Sequence, residues 1–128
     1  HVGVFLPNEG VFFAGDNFTN QTQPSLVYCA PLDWIDSLQQ IQSMDIDLVV
    51  PGHGKVCGQS EIREFYDFIQ NCVDLVQRAI DKGLNKEEAA ASLSFEHMYP
   101  KKSDSFAVHT GSEQQRRNVM HLYDMLTN

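Results

Sequence analysis

Asp47-Leu48-Val49-Val50-Pro51-Gly52-His53-Gly54 is an apolar run that ends abruptly in Pro-Gly-His-Gly. Leu48 to Val50 reads as a short buried strand. Pro51 is expected to stop it, because proline lacks the N–H for the next ladder bond. Two glycines flank the histidine, so the backbone beside the imidazole can take conformations closed to other residues. A ring nitrogen is thereby placed at a strand end, where α/β sheets bind ligands. The alternative is a turn whose histidine is only solvated.

Upstream, His1 to Leu6 alternates loosely and is rich in Val and Phe, and Pro7-Asn8-Glu9-Gly10 is a turn cluster. Val11 to Ala14 is a second apolar run, so the two read as a β-hairpin. Gly15-Asp16-Asn17 closes the second strand. Asp16 is a candidate ligand there, and an Asx-turn or helix cap is the competing reading. Thr19 to Ser25 is polar and reads as a long loop, functional or mobile. Pro31 suits a first helical turn and Asp33 the positive end of the helix dipole. Trp34, Leu38 and Ile41 then follow helical spacing, with Trp34 a packing anchor, and the helix ends near Ser43-Met44.

Downstream, Ile62, Phe65, Ile69, Val73, Val76 and Ile80 share one face of a helix over residues 59–82, with Ser60 as its cap and Gly83 after its end. Asn85-Lys86-Glu87-Glu88 has the form of a capping box opening a short Ala-rich helix to about Leu93. Phe95 to Gly111 is irregular, and Ser112-Glu113-Gln114-Gln115 opens a final helix with Val119, Leu122, Tyr123 and Leu126 on one side.

The 128 residues suit one domain or part of a larger one. The start at His1, without Met and directly into a strand-like pattern, leads to the expectation that residues precede it. A formal charge of −8 argues against a broad nucleic-acid surface, which needs a basic face. No apolar run approaches a membrane span. Cys29, Cys57 and Cys72 are odd in number and lack CxxC spacing, so reduced thiols in a cytoplasmic protein are expected rather than disulfides or a zinc ribbon. A thiol enzyme built on Cys57 lacks an evident base and orienting group.

Asp16 and His53 each end an apolar strand, and the strands are separated by one helix. Such connectivity tends to make strands parallel neighbours. Their ends then share one edge, which brings together a carboxylate and an imidazole, donors suited to zinc, iron or manganese.

Val11-Phe12-Phe13-Ala14-Gly15-Asp16, the polar loop, the helix with Trp34 and Leu38, and Val49-Val50-Pro51-Gly52-His53-Gly54 together resemble the C-terminal half of a metallo-β-lactamase-fold hydrolase. His1 to Gly10 is similar to the strand pair preceding that family's Gly-Asp, and the likeness continues more weakly through Lys82 to Ala89 and Arg116-Arg117-Asn118. The resemblance implies an α/β fold: half of a metallo-β-lactamase-like αββα sandwich, with one small mixed sheet, helices on one outer face and a helical C-terminal part. Sheet and ligand loops then occupy residues 1–57 and the helical part 58–128. The resemblance also implies two zinc ions in the full-length form, with iron or manganese as alternatives. An Asp at the position of Asp16 bridges the metals, and a His at that of His53 is a terminal ligand. A metal-bound hydroxide attacks an ester, thioester, lactone, lactam or phosphodiester in a small-molecule substrate.

This sequence departs from the family pattern where most of the ligands should be. His-x-His-x-Asp-His occurs nowhere in it. His1 is a third candidate ligand, although it runs directly into the strand. His97, His109 and His121 lack ligand-like spacing and are expected to be surface or packing residues. Two readings result. In the first, the chain is the C-terminal portion of a metal-dependent hydrolase, inactive alone, and binds an incomplete metal set or none. In the second, it is a non-catalytic module that self-associates through an exposed sheet face built from Val4, Leu6, Val11, Phe13 and Val49.

Overall fold

In the computed structural model, described for residues 1–95, 97–99 and 112–128, a three-stranded mixed sheet carries helices on one face. The elements run β1 (Val4–Leu6), β2 (Val11–Thr19), α1 (Pro31–Gln42), β3 (Leu48–His53), α2 (Gln59–Asp81), α3 (Lys86–Ser92) and α4 (Ser112–Thr127). The sheet order is β1-β2-β3. β1 and β2 form the expected antiparallel hairpin, with Val4 opposite Phe13 and Leu6 opposite Val11. β2 and β3 are parallel neighbours, with Val11 opposite Leu48 and Phe13 opposite Val50.

Both β2 and β3 run further than their sequences imply. β2 does not close at Gly15; it continues to Thr19 through register shifts at Phe13/Gly15 and Gly15/Thr19. Asp16 therefore sits inside a bulged strand, a device that re-aims a side chain. β3 does not stop at Pro51 but reaches His53. Val49 turns its N–H and C=O to Cys57, away from β2. By the alternation of a strand, Pro51 faces that same edge, where its missing N–H costs no ladder bond.

The same alternation divides the sheet into two faces. Phe12, Ala14 and Val49 are buried on the helix side. Val4, Leu6, Phe13 and Leu48 are exposed on the other. Val49 was expected on the open face, but its register puts it in the core, and Leu48 takes its place. A one-residue error in phase moves a side chain to the opposite face.

α1 starts with Pro31 at its first turn and buries Ile35, Leu38 and Ile41. α2 buries Ile62, Phe65, Ile69, Val73 and Val76, together with Phe68 and Cys72. Its N-cap is Gly58, not Ser60: the Glu61 carboxylate reaches back to accept the Gly58 N–H at 3.0 Å, and Ser60 lies in the first turn. At its far end Gly83 (φ 83°) donates to Ile80 O and Leu84 donates to Ala79 O, a Schellman closure. Asn85 and Glu88 form the expected reciprocal capping box of α3. Phe65 stands at the centre of the core. Its ring lies 5.4 Å from Phe18, 5.3 Å from Trp34 and 5.7 Å from Tyr99, tying β2, α1 and the 97–99 segment to α2. No helix among the described residues is long and apolar enough to cross a membrane.

Candidate functional site

The parallel pairing of β2 and β3 puts Asp16 and His53 side by side. Asp16 Oδ1 lies 3.2 Å from His53 Nε2, and the two side chains are 53% and 64% exposed. So open a pair is screened by water and adds little to stability, yet both donors remain accessible to a ligand. They line a cleft of about 790 Å³ whose wall also includes His1, Asn17, Tyr28, Cys29, Asp33 and Trp34.

The glycines of Pro-Gly-His-Gly have separate reasons. At Gly52 the constraint is space: a Cβ would come within 2.6 Å of Gly15 O and collide with Asp16 Oδ1. At Gly54 it is both conformation and space, since φ is 93° and a Cβ would collide with Asn20 O. The histidine loop is thus pressed against β2 and the turn that follows it.

That turn is not the loose loop expected from its polarity. Thr19, Asn20, Gln21 and Gln23 are buried. Thr19 Oγ1 donates to Thr22 O at 2.7 Å. Tyr99 OH donates to Thr19 O at 2.7 Å and accepts from Gln21 N at 2.6 Å. Gln23 Nε2 donates to Phe95 O and Tyr99 O, and Gln115 Nε2 donates to Gln23 Oε1. Asn118 accepts from Leu26 N and donates to Pro24 O. Side-chain amides here take the role of a sheet ladder and satisfy buried backbone groups. Burial pushes the Tyr99 hydroxyl well above the usual phenol range, so it keeps the proton it donates. Trp34 is the packing anchor that its spacing implies, and its Nε1 also donates to Asn17 O at 2.7 Å beside the cleft.

Asp16, His53 and His1 thus border one cleft. His97 is exposed outside it. His121 is a packing residue, its Nε2 3.2 Å from Cys29 O. His109 lies outside the described residues. Cys57 pairs with Val49 at the sheet edge. Cys29 does reach the cleft, but burial pushes its thiol up to about 11, away from nucleophile chemistry at neutral pH. Among the described residues, no group of three or more His, Cys, Asp or Glu could hold a metal ion. Sequence reasoning missed Asn20 and Tyr99, because neither stands in a periodic pattern. The only signal for Asn20 was Gly54, a residue that permits close approach of another backbone.

No family model matches the sequence, and no match is found among curated proteins. Solved structures do match. The stereoselective inverting sec-alkylsulfatase Pisa1 from Pseudomonas sp. superposes with a TM-score of 0.65 at 16% identity, over 96% of this chain and 21% of that one. A double mutant of the sec-alkyl sulfatase PisA1 gives a TM-score of 0.68 at 13% identity, over 97% and 21%. The chain therefore spans about a fifth of the length of the structures it matches. At such identities the likeness speaks for the fold alone: a mixed α/β arrangement corresponding to one portion of a metallo-β-lactamase-fold chain.

Proposed function

We propose that this chain is the C-terminal portion of a metal-dependent hydrolase, to which it contributes Asp16 and His53 as metal ligands and one wall of the substrate cleft. The observation that carries this reading is the 3.2 Å approach of Asp16 Oδ1 to His53 Nε2 at adjoining parallel strands, open to the cleft. Two donors on one tetrahedral zinc, with bonds of about 2.0–2.1 Å, stand ~3.3 Å apart. One carboxylate oxygen and one imidazole nitrogen suit zinc, with iron or manganese as alternatives. A catalytic zinc needs three protein ligands and an open position. Asp16 and His53 meet only part of that need, with His1 a third candidate, so the described residues leave the donor set incomplete and the full-length protein would complete it.

When bound, a pair of such ions supplies an activated water and stabilises a developing oxyanion on an ester, thioester, lactone or lactam. This chain's own part is narrower. The carboxylate of Asp16 would offset repulsion between cations, and the absence of a Cβ at Gly52 leaves it room beside His53. Alone, the chain binds metal weakly or not at all and does not hydrolyse.

The test is metal content and turnover of the full-length protein against ester, thioester, lactone, lactam and alkyl sulfate substrates. Asp16→Asn and His53→Ala should each lower bound metal and abolish activity. Full metal and full turnover in both variants would refute the assignment, and turnover by residues 1–128 alone would refute the incomplete site.

The open sheet face favours a second reading, a non-catalytic module that associates with a copy of itself. Val4, Leu6, Phe13 and Leu48 are apolar, exposed and on one side of the sheet. A contiguous apolar face of this kind marks an interaction surface, and a two-fold dimer with sheets facing would cover it. Sedimentation at micromolar concentration should then give a dimer that Phe13→Glu converts to monomer. A clean monomer for the unaltered chain ends this reading.

A further inference from the structure

We infer that Asn20 is a positioning residue that sets where the His53 imidazole points, and that Tyr99 holds Asn20 in place to do so. The inference rests on the reading of His53 as a metal ligand. Asn20 grips the histidine loop on both sides of Gly54. Its backbone N–H donates to His53 O at 2.8 Å. Its side-chain Nδ2 donates to Lys55 O at 2.9 Å. Between these two bonds, Asn20 O packs so closely on Gly54 that no Cβ fits there. Three consecutive residues, His53, Gly54 and Lys55, are thus held by one buried residue.

The side-chain orientation of Asn20 serves this grip at a cost to itself. Its Oδ1 is buried without a hydrogen-bond partner among the described residues. An asparagine present only to satisfy its own turn would place that oxygen on a local N–H. Instead the amide is spent on the Lys55 carbonyl, 35 positions away in sequence. The turn that carries Asn20 is itself held from the other end of the chain: the Tyr99 hydroxyl bridges Thr19 O and Gln21 N, the residues on either side of it. Gln21 has a positive φ of 58°, a conformation that persists only where surrounding bonds enforce it. The contacts therefore run from Tyr99 to the turn, from Asn20 to the loop, and so to His53 beside Asp16. Groups that orient a ligand through its own backbone matter to metal affinity much as outer-shell partners do, at about 10–100-fold each.

The experiment is NMR of the intact chain, without metal and then with zinc. In the unaltered chain the Asn20 amide should exchange slowly, and His53 ring protons should show cross-peaks to Asp16. Asn20→Ser, whose hydroxyl is too short to reach Lys55 O, should lose those cross-peaks while the remaining spectrum is kept. Asn118→Ala, which loosens the same loop at Pro24 and Leu26, should keep them. Zinc affinity should fall about tenfold in Asn20→Ser only. An Asn20 amide that exchanges as fast as an exposed loop overturns the proposal without any variant, and so do cross-peaks retained in Asn20→Ser. Loss of cross-peaks with no zinc binding in any form supports the positioning role and agrees with the incomplete donor set, and the ligand reading of His53 is then decided by the metal content of the full-length His53→Ala protein.

Discussion

Gly52→Ala tests the close strand contact behind the candidate site. Gly52 is not among the residues with positive φ, so alanine meets no backbone penalty there. The whole cost is steric. A new Cβ would lie 2.6 Å from Gly15 O and 2.7 Å from Gly15 C, and would also collide with Asp16 Oδ1. The carboxylate can swing aside, but Gly15 is main chain paired with Pro51. β2 and β3 must therefore part locally, the kind of overpacking that costs about 1–3 kcal/mol. For a chain of this length that is roughly 4 °C in Tm per kcal/mol, or about 4–12 °C. Urea denaturation followed by circular dichroism measures it. The double variant Gly52→Ala/Asp16→Ala separates the two clashes, because removing the carboxylate leaves the Gly15 contact in place. The penalty should persist in the double variant. If Gly52→Ala lies within about 0.5 kcal/mol of the unaltered chain, the ordinary range for neutral surface changes, the reasoning fails. If Asp16→Ala restores stability, the clash is with the carboxylate only and the strands are not in forced contact.

Tyr99→Phe keeps the ring but strips the hydroxyl from Thr19 O and Gln21 N, so about 1–3 kcal/mol should be lost by denaturation for the buried groups left unpaired. Alkaline stability should fall in a window set by Cys29. Burial raises its folded thiol to about 11, above the unfolded value, so its contribution is complete below the unfolded thiol's range and is lost as pH rises through about 11. Cys72 is pushed up in the same direction by burial. Urea midpoints taken from pH 8 upward should decline, and Cys29→Ala should make that decline shallower; equal slopes would refute the assignment to Cys29.

Much of the fold is legible in local pattern. The apolar face of α2, the Gly83 stop and the Asn85 capping box depend on neighbours three or four positions apart, and a sequence displays such neighbours directly. The placement of Asp16 beside His53 is legible too, because strand–helix–strand connectivity restricts how two strands can meet. Strand ends and strand phase are less so. Pro51 belongs to β3 because β3 is an edge strand, and Val49 is in the core because of the register it adopts. Both facts depend on partners that a residue's own neighbourhood does not reveal.

The polar run from Thr19 to Ser25 separates the two kinds of information most clearly. By composition it is a long polar loop. In the fold Thr19, Asn20, Gln21 and Gln23 are buried, the Asn20 side chain bonds a residue 35 positions away, and the Gln23 side chain bonds residues 72 to 92 positions away. Polarity says only that hydrogen bonds must be made, and long-range packing decides with whom. The residue types in Gly-Asp and Pro-Gly-His-Gly, with the strand–helix–strand order between them, determine that this chain carries a carboxylate and an imidazole on neighbouring strands. Only the tertiary structure decides what holds them there. The grip of Asn20 and the brace of Tyr99 join segments that meet only once the helices have closed over the sheet.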